Sequence, residues 1–196
     1  MSIVPVPDGQ LAAVVTYLEM NSRPGVAVPA TTLRLEPIAP SPAAYRTLFA
    51  RIGAPWLWFS RLVMPDAELA AILDDQRLSL FEVRDGENVV GMLELDAREA
   101  GACELAFVGL IAEFTGRGHG RWLLAEAISR AWAIDGVKRV HVHTCTLDHP
   151  AALGAYRRAG FVAVARRIET FIDPRLAGVF PRDTAPQVPL LERPSS

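Results

Sequence analysis

Cysteine is scarce in this chain of 196 residues, where Cys103 and Cys145 are the only two. Two thiols build no disulfide framework. Each sits within an apolar pattern, so buried free thiols in a reducing cytosol are expected. An excess of positive charge is missing too. The formal net charge is -2, whereas a duplex-binding protein would carry a basic stripe, and no nucleic-acid partner is expected. Long apolar runs are absent. The stretch Leu105–Ala112 near the middle is closed by Glu104 and Glu113, far short of the roughly 20 residues that span a bilayer, and no membrane partner is expected. The first residues carry Asp8, no early basic residue and an apolar run that stops at Glu19, which is unlike a signal peptide. Internal repeats and low-complexity segments are lacking as well. What remains is 51% apolar and 21% charged residues, the balance of one cytoplasmic globular domain with a sizeable core.

Along the chain, Leu11–Met20 is rich in β-branched and aromatic residues, and Asn21-Ser22-Arg23-Pro24-Gly25 follows as a turn cluster. Thr32–Pro37 then alternates. These segments are read as an N-terminal strand pair within residues 11–37. Ser41 is a candidate N-cap for a helix reaching about Arg51, and a second helix is expected from Pro65 to Asp74, so that two helices occupy 41–75. Leu78–Val83 and Val89–Asp96 flank the turn signal Asp85-Gly86-Glu87-Asn88 and read as a hairpin. Cys103–Ile111 is nearly continuous apolar sequence, as in a strand buried on both faces. A glycine-rich loop follows, then a helix over about Gly118–Ile134, a strand Lys138–Thr146, a short helix Pro150–Ala159 and a last strand Phe161–Ile172. The order β-β-α-α-β-β-β-α-β-α-β places helices on a mixed sheet in a single domain over 1–172. The tail from 173 to 196 holds Pro174, Pro181, Pro186, Pro189 and Pro194, which exclude regular helix. It reads equally as a segment packed along the surface, packed on a partner subunit of a homodimer, or disordered.

Gly116-Arg117-Gly118-His119-Gly120 lies between a buried strand and an amphipathic helix. Glycines allow a tight turn whose N–H groups converge, and a helix N-terminus adds partial positive charge. Such a nest binds phosphate or pyrophosphate through the backbone, with Arg117 and Arg121 adding charge at the rim. It is neither a Walker A loop, since no Gly-Lys-Ser/Thr follows, nor a G-x-G-x-x-G turn, since Leu123 stands at the third glycine's place. A second element, His149-Pro150-Ala151-Ala152, opens a helix that contains Tyr156 and ends at Gly160-Phe161. Positions 149, 152 and 156 share one helical face.

With these two elements in this order, the sequence resembles the GNAT acyltransferase superfamily. That family pairs a loop Gln/Arg-x-x-Gly-x-Gly/Ala with a later helix Asn-x-x-Ala-x-x-x-Tyr-x-x-x-Gly-Phe. The likeness covers residues 76–172 well and the N-terminal third by element order. Thr115 stands where the family has Gln or Arg, and His149 where it has Asn. The resemblance implies an α/β (α+β) fold with a mixed, mostly antiparallel central sheet. It also implies a V-shaped splay between the fourth and fifth core strands, with helices packed on both faces. Residues 76–172 would form the cofactor-binding core of an N-acetyltransferase. Acetyl-CoA, as cosubstrate, would lie where the Cys103–Ile111 strand diverges from the Lys138–Thr146 strand. Backbone groups of Val108, Gly109 and Leu110 would polarise the thioester. The nest Thr115–Gly120 with Arg121, His149 and Ala152 would complete the cofactor site. Gly109 fits either a close backbone approach or plain packing.

A lysine-like amine has a pKa of about 10.4 and is mostly protonated at neutral pH, so a base is useful. Glu104 precedes Thr115 by the interval that separates a catalytic glutamate from the Gln/Arg position in some family members. In an apolar strand its pKa is expected to be raised. The alternative is a glutamate paired with an arginine at the sheet edge, with Glu94 as the reserve base. Tyr156 would protonate the departing thiolate, or else be a packed aromatic. His141, His143 and Cys145 share a strand face near His149, but strand alternation aligns any such trio, and no metal is expected. The patch Trp56-Leu57-Trp58-Phe59 reads as acceptor-pocket wall or as core. The activity implied is acetylation of a primary amine on a small molecule, amino acid or peptide. The alternatives are a non-catalytic acyl-CoA sensor and an interaction domain.

Overall fold

In the computed structural model, residues 3–25 and 27–191 are described. The strands are β1 (Gln10–Met20), β2 (Arg34–Pro37), β3 (Leu78–Asp85), β4 (Asn88–Asp96), β5 (Ala102–Leu110), β6 (Arg139–Cys145) and β7 (Val162–Ile172). The helices are α1 (Pro42–Gly53), α2 (Ser60–Val63), α3 (Asp66–Leu73), α4 (His119–Ala131) and α5 (Ala152–Arg158). The strands form one sheet in the order β2-β3-β4-β5-β6-β1-β7. Every pairing is antiparallel except β5 with β6. That parallel step needs a crossover, which α4 provides.

Two apolar clusters lie on opposite faces of the sheet. On one, α4 buries Trp122, Leu123, Ala127, Ile128 and Ala131 against Cys103, Leu105, Val140 and Val142. On the other, α1 buries Tyr45, Phe49 and Ile52 against Leu80 and Met92, with Phe107 packed alongside. These α1 positions recur at helical spacing, so one stripe faces the sheet. Ser41 caps α1 by accepting from the Ala44 N–H at 3.3 Å, and Pro42 opens its first turn. Each fully buried large side chain contributes roughly 1.5–3 kcal/mol. An exposed ion pair such as Arg34–Glu36 is screened by solvent and adds little beside that, so the two clusters dominate.

A β-bulge sets which side chains face which cluster. Glu94 pairs with Phe107 but Leu95 with Leu105, leaving Ala106 as the extra residue in β5. Leu105 and Val108 therefore both join the α4 face, while Phe107 turns to α1.

Two sequence expectations are corrected, and one left open is decided. The segments read as an N-terminal strand pair do not pair with each other. β2, only Arg34–Pro37, forms one edge beside β3, whereas β1 is inserted between β6 and β7. There Leu18 and Met20 reach the α4 cluster, burial that a pairing with short, charged β2 would not give. The aromatic patch also gives rise to an additional short helix, α2. Finally, of the three readings of the tail, packing on its own chain is the one found, as far as Val188. Asp173 and Arg175 form a buried pair at 2.7 Å, and Arg175 also donates to the carbonyls of Thr184 and Val188. Phe180 and Ala185 pack on Leu57. Residues 192–196 lie outside the described residues.

Below the α1 cluster, Glu94 is fully buried. It accepts from the Tyr45 hydroxyl and from Arg61, the latter at 2.6 Å. Burial raises the Glu94 pKa, while Arg61 and Tyr45 oppose the rise. Burial also pushes the Tyr45 phenol well up, so it keeps its proton and donates. Removing one partner of a buried pair strands the other charge. Glu94→Ala is expected to lose about 3–5 kcal/mol in urea unfolding, whereas Glu36→Ala at the exposed β2 edge is expected to leave the urea midpoint nearly unchanged.

Candidate active site

The site begins where the sheet stops being continuous. β5 and β6 pair only over Ala102–Glu104 with Arg139–His141. Beyond that rung, the β6-facing edge of β5 over Leu105–Leu110 has no ladder partner among the described residues. This is the splay expected of the Cys103–Ile111 and Lys138–Thr146 strands. Val108, Gly109 and Leu110 lie on the open stretch, with their edge available to an extended ligand.

The space at Gly109 is filled on the α1 side. A Cβ there would come within 2.5 Å of Ile52 Cγ2 and 3.2 Å of Trp58 Cη2. The packing reading explains why this residue is glycine. Trp58 then reaches across the splay and donates from Nε1 to Asp148 at 3.1 Å. Asp148 in turn accepts from the Thr144 hydroxyl at 2.7 Å and the Cys145 N–H at 2.8 Å. The aromatic patch is thus core and brace together. Trp56 meets the His149 ring edge-on at 5.1 Å, and Phe59 meets Phe171 at 5.0 Å.

At the open end of β5 the chain enters the glycine loop. Gly116 and Gly118 have φ of 76° and 83°, a conformation that side chains strongly disfavour. A Cβ at Gly116, Gly118 or Gly120 would meet nothing within 4 Å. Helix α4 starts at His119 with no side-chain cap, so its first N–H groups remain available to an anion. Arg117 and Arg121 are exposed at the rim. Thr115 turns its hydroxyl back onto the Ala112 carbonyl at 2.8 Å, so it closes the preceding turn rather than extending into the nest. His119 packs toward Phe114 and lies 3.4 Å from the Thr31 hydroxyl.

His149 performs a turn-forming role that an asparagine side chain can also fill. Its Nδ1 accepts from the Ala151 N–H at 3.1 Å, and its carbonyl accepts from Ala152 at 2.8 Å, starting α5. From α5, Tyr156 packs on the α4-side cluster and meets Phe161 edge-on. Burial, with the Asp148 charge, holds its phenol pKa above the ordinary value.

Glu104 departs from expectation. It pairs across the splay with His143 Nδ1 at 2.8 Å, not with an arginine. Burial alone would raise its pKa, but the His143 hydrogen bond and charge, with His141, leave it lowered. His143 is raised by its bond to Glu104 against the effect of burial, with Asp148 and Glu169 adding to the rise. Strand alternation puts Glu104 and His143 on the α1 face, opposite the cluster that holds Tyr156. An open cleft of about 450 Å³ adjoins Glu104, lined by Asp75, Arg77, Asp96, Arg98, Glu99 and His141. Glu94 is sealed in its own hydrogen bonds away from this cleft.

The cysteines differ from each other. Cys103 is buried, and Cys145 is only half-buried, because β6 turns it to the more open face. Burial pushes the Cys103 thiol up to about 12, with Asp96 and Glu104 adding to it, and burial and Asp148 raise Cys145. Both stay protonated and are poor nucleophiles at neutral pH. Sequence reasoning missed Asp148, Trp58 as a brace, and the partnership of His143 with Glu104. The shared strand face of His143 and Cys145 was the only available signal.

The Glu104–His143 pair has two limits in pH. His143 contributes stability that is full below its ordinary value of 6.5 and is lost as pH rises through the raised folded value. Glu104 contributes stability that is present above its ordinary value of 4.5 and is lost as pH falls through the lowered one. In an NMR titration the His143 midpoint is expected above 6.5, and Glu104→Gln is expected to bring it down.

Comparison with known proteins agrees with this architecture. Residues 45–161 match the acetyltransferase (GNAT) family. A GCN5-related N-acetyltransferase from Kribbella flavida superposes with a TM-score of 0.54 at 20% identity, covering 87% of this chain and 63% of that one. One from Sphaerobacter thermophilus gives 0.57 at 20% identity, covering 85% and 52%. A functionally unknown conserved protein from Staphylococcus epidermidis gives 0.59 at 12% identity, covering 84% and 63%. The chain therefore spans between half and two thirds of the length of these solved relatives. No curated protein matches it. No helix among the described residues is long and apolar enough to cross a membrane. With the family match spanning more than half of its length and a sheet that opens at the expected strands, the chain belongs to the GNAT acetyltransferase family.

Proposed function

We propose that the protein transfers an acetyl group from acetyl-CoA to a primary amine by direct attack. The observation that carries this reading is the unpaired edge of β5 over Leu105–Leu110, which ends in a glycine nest at the start of α4. An extended pantetheine suits the strand edge. A pyrophosphate suits the N–H groups of the nest, with Arg117 and Arg121 at its rim. The backbone of Val108–Leu110 supplies the polar groups nearest the thioester, and the start of α5 at His149 and Ala152 borders the same gap.

The two faces of the splay divide the chemistry. The amine nitrogen forms its bond to the acetyl carbon from the Glu104–His143 side. The C–S bond breaks, and the thiolate takes the Tyr156 proton on the α5 side. Tyr156, with its pKa raised, stays in the acid form until the thiolate develops. The proton released by the amine goes to the Glu104–His143 pair. A carboxylate of pKa about 4.3 is a weak base toward an amine of about 10.4, and an imidazole of about 6.5 shortens that gap by about two units. We therefore assign the proton to His143, with Glu104 orienting the ring and compensating its charge.

The acceptor class follows from the cleft beside Glu104. Asp75, Asp96, Glu99 and Glu104 outnumber Arg77 and Arg98 there, which favours a cationic amine over an anionic acceptor. The raised thiol pKa values of Cys103 and Cys145 favour direct attack over an acyl-cysteine route.

Acetyl-CoA in roughly hundredfold excess over its dissociation constant is expected to stabilise the protein by about 2.7 kcal/mol, read as a rise in melting temperature. Tyr156→Phe is expected to lower kcat on the order of 10²-fold or more while sparing acetyl-CoA affinity. His143→Gln is expected to lower kcat/KM and remove its acid limb, and Glu104→Gln to lower kcat/KM and move that limb to lower pH. A His143→Gln enzyme with full activity would return the base role to Glu104 alone. Absence of any acetyl-CoA shift in the folded protein would overturn the acyltransferase reading.

A further inference from the structure

The two edges of the sheet are built differently. β2 is four residues long, ends in Pro37 and carries Arg34 and Glu36, which are ordinary protections of an edge. β7 is neither short nor closed by proline, although it carries Arg166, Arg167 and Glu169 and a bulge at Val164. It runs for 11 residues without proline, and all but Phe171 are exposed. Val162, Val164, Ile168 and Ile172 are exposed at 65%, 54%, 70% and 62%. Val14, opposite Ile168 on β1, adds an apolar neighbour at 38% exposure. A long edge strand with open backbone groups and apolar side chains is a template for another strand.

We propose that β7 pairs antiparallel with β7 of a second copy of this chain, with Ile168 on the two-fold axis, joining two sheets into one. Symmetry restricts the register. Residues directly opposite each other in an antiparallel pair point to the same face. A two-fold perpendicular to the sheet keeps each residue on its own face, so one residue must sit on the axis facing its own copy. With Arg166 or Arg167 on the axis, two guanidiniums face each other. With Glu169 there, two carboxylates do. With Ile168 there, Arg167 faces Glu169 of the second copy twice over, Arg166 faces Thr170 twice, and Ile168 faces itself, all clear of the bulge at Val164. Arg167 and Glu169 lie on one face, opposite Val15 and Ala13 of β1, while Ile168 lies on the other beside Val14. The contact therefore has one face of reciprocal Arg167–Glu169 pairs and another on which the Ile168 self-pair is flanked by Arg166 facing Thr170, each complementary to itself. The proline-bearing tail is held to its own chain as far as Val188 by Arg175 and Phe180, and β7 keeps its outer edge at the end of the sheet.

Sedimentation velocity over a dilution series tests the proposal. The wild-type chain is expected to form a dimer that dissociates on dilution. Arg167→Glu and Glu169→Arg each place like charges opposite one another. Each is expected to weaken the dimer by roughly tenfold or more, and the double swap to restore it. In a Cys145→Ser background, Ile168→Cys is expected to form a disulfide with its own copy under mild oxidation, since it faces itself at a distance a disulfide spans. Thr170→Cys, which faces Arg166, is not. Circular dichroism confirms that each of these surface variants is folded. A folded wild-type monomer at every concentration, or a double swap as monomeric as its parents, would overturn the proposal. Equal cross-linking of Thr170→Cys and Ile168→Cys would do so too.

Discussion

Backbone groups on the facing edges of β5 and β6 find each other only over Ala102–Glu104 and Arg139–His141. A buried N–H or C=O left without a partner costs about 1–3 kcal/mol, and sheets ordinarily avoid that by staying paired. Here the strands are held apart by what packs on them. On one face, Val108 and Val142 both lie against the α4 cluster. On the other, Trp58 sits over Gly109 and reaches Asp148, which grips Thr144 and Cys145 in β6. The Glu104–His143 bond spans the two strands just past the last rung. The gap is therefore a property of the folded core, present before any ligand arrives.

That constraint also separates the proposed proton donor from the proposed proton acceptor. Strand alternation sends Leu105 and Val142 to the α4 side, where Tyr156 packs, and Glu104 and His143 to the α1 side. A reacting centre in the gap would have one titratable system on each flank, with pKa values displaced in the directions their tasks call for. The phenol is held in its acid form by burial. The imidazole is made more basic by a carboxylate at 2.8 Å. Glu94 shows the contrast. It is also a carboxylate on the α1 face of the sheet, but Tyr45 and Arg61 consume its oxygens and burial seals it, so its contribution is to stability.

How far the sequence could be read followed the range of the interactions. The glycine loop and the start of α5 were legible because their causes are local. Positive φ at Gly116 and Gly118, and the His149 turn onto Ala151, lie within a few residues of the features that they create. The Ser41 cap and the α1 stripe were legible for the same reason. The Glu104–His143 pair joins positions 39 apart in sequence, and Trp58 and Asp148 are 90 apart. Their meeting depends on strand register. Register in turn depends on the Ala106 bulge, and nothing in the sequence Leu105-Ala106-Phe107 announces one. The expected rise in the Glu104 pKa failed on the same ground. Burial does raise it, as an apolar strand suggested, but a histidine from another strand outweighs burial.

The placement of β1 follows from a similar competition. As a local unit, Leu11–Met20 and Thr32–Pro37 resemble two strands joined by a turn, and adjacent strands commonly pair. β1 instead spans β6 and β7, because only there do Leu18 and Met20 reach the α4 cluster while Ala13 and Val15 are also fully buried. A strand inserted between two partners has its backbone satisfied on both edges, and from Val15 to Met20 no side chain of β1 is exposed on either face. The consequence falls on β7, which β1 displaces outward from β6. β7 gains one partner strand and leaves its other edge and nearly every side chain in solvent. The insertion that completes the core on one side of the molecule thus creates an unfinished edge, whose Arg167, Ile168 and Glu169 are arranged to fit a copy of themselves.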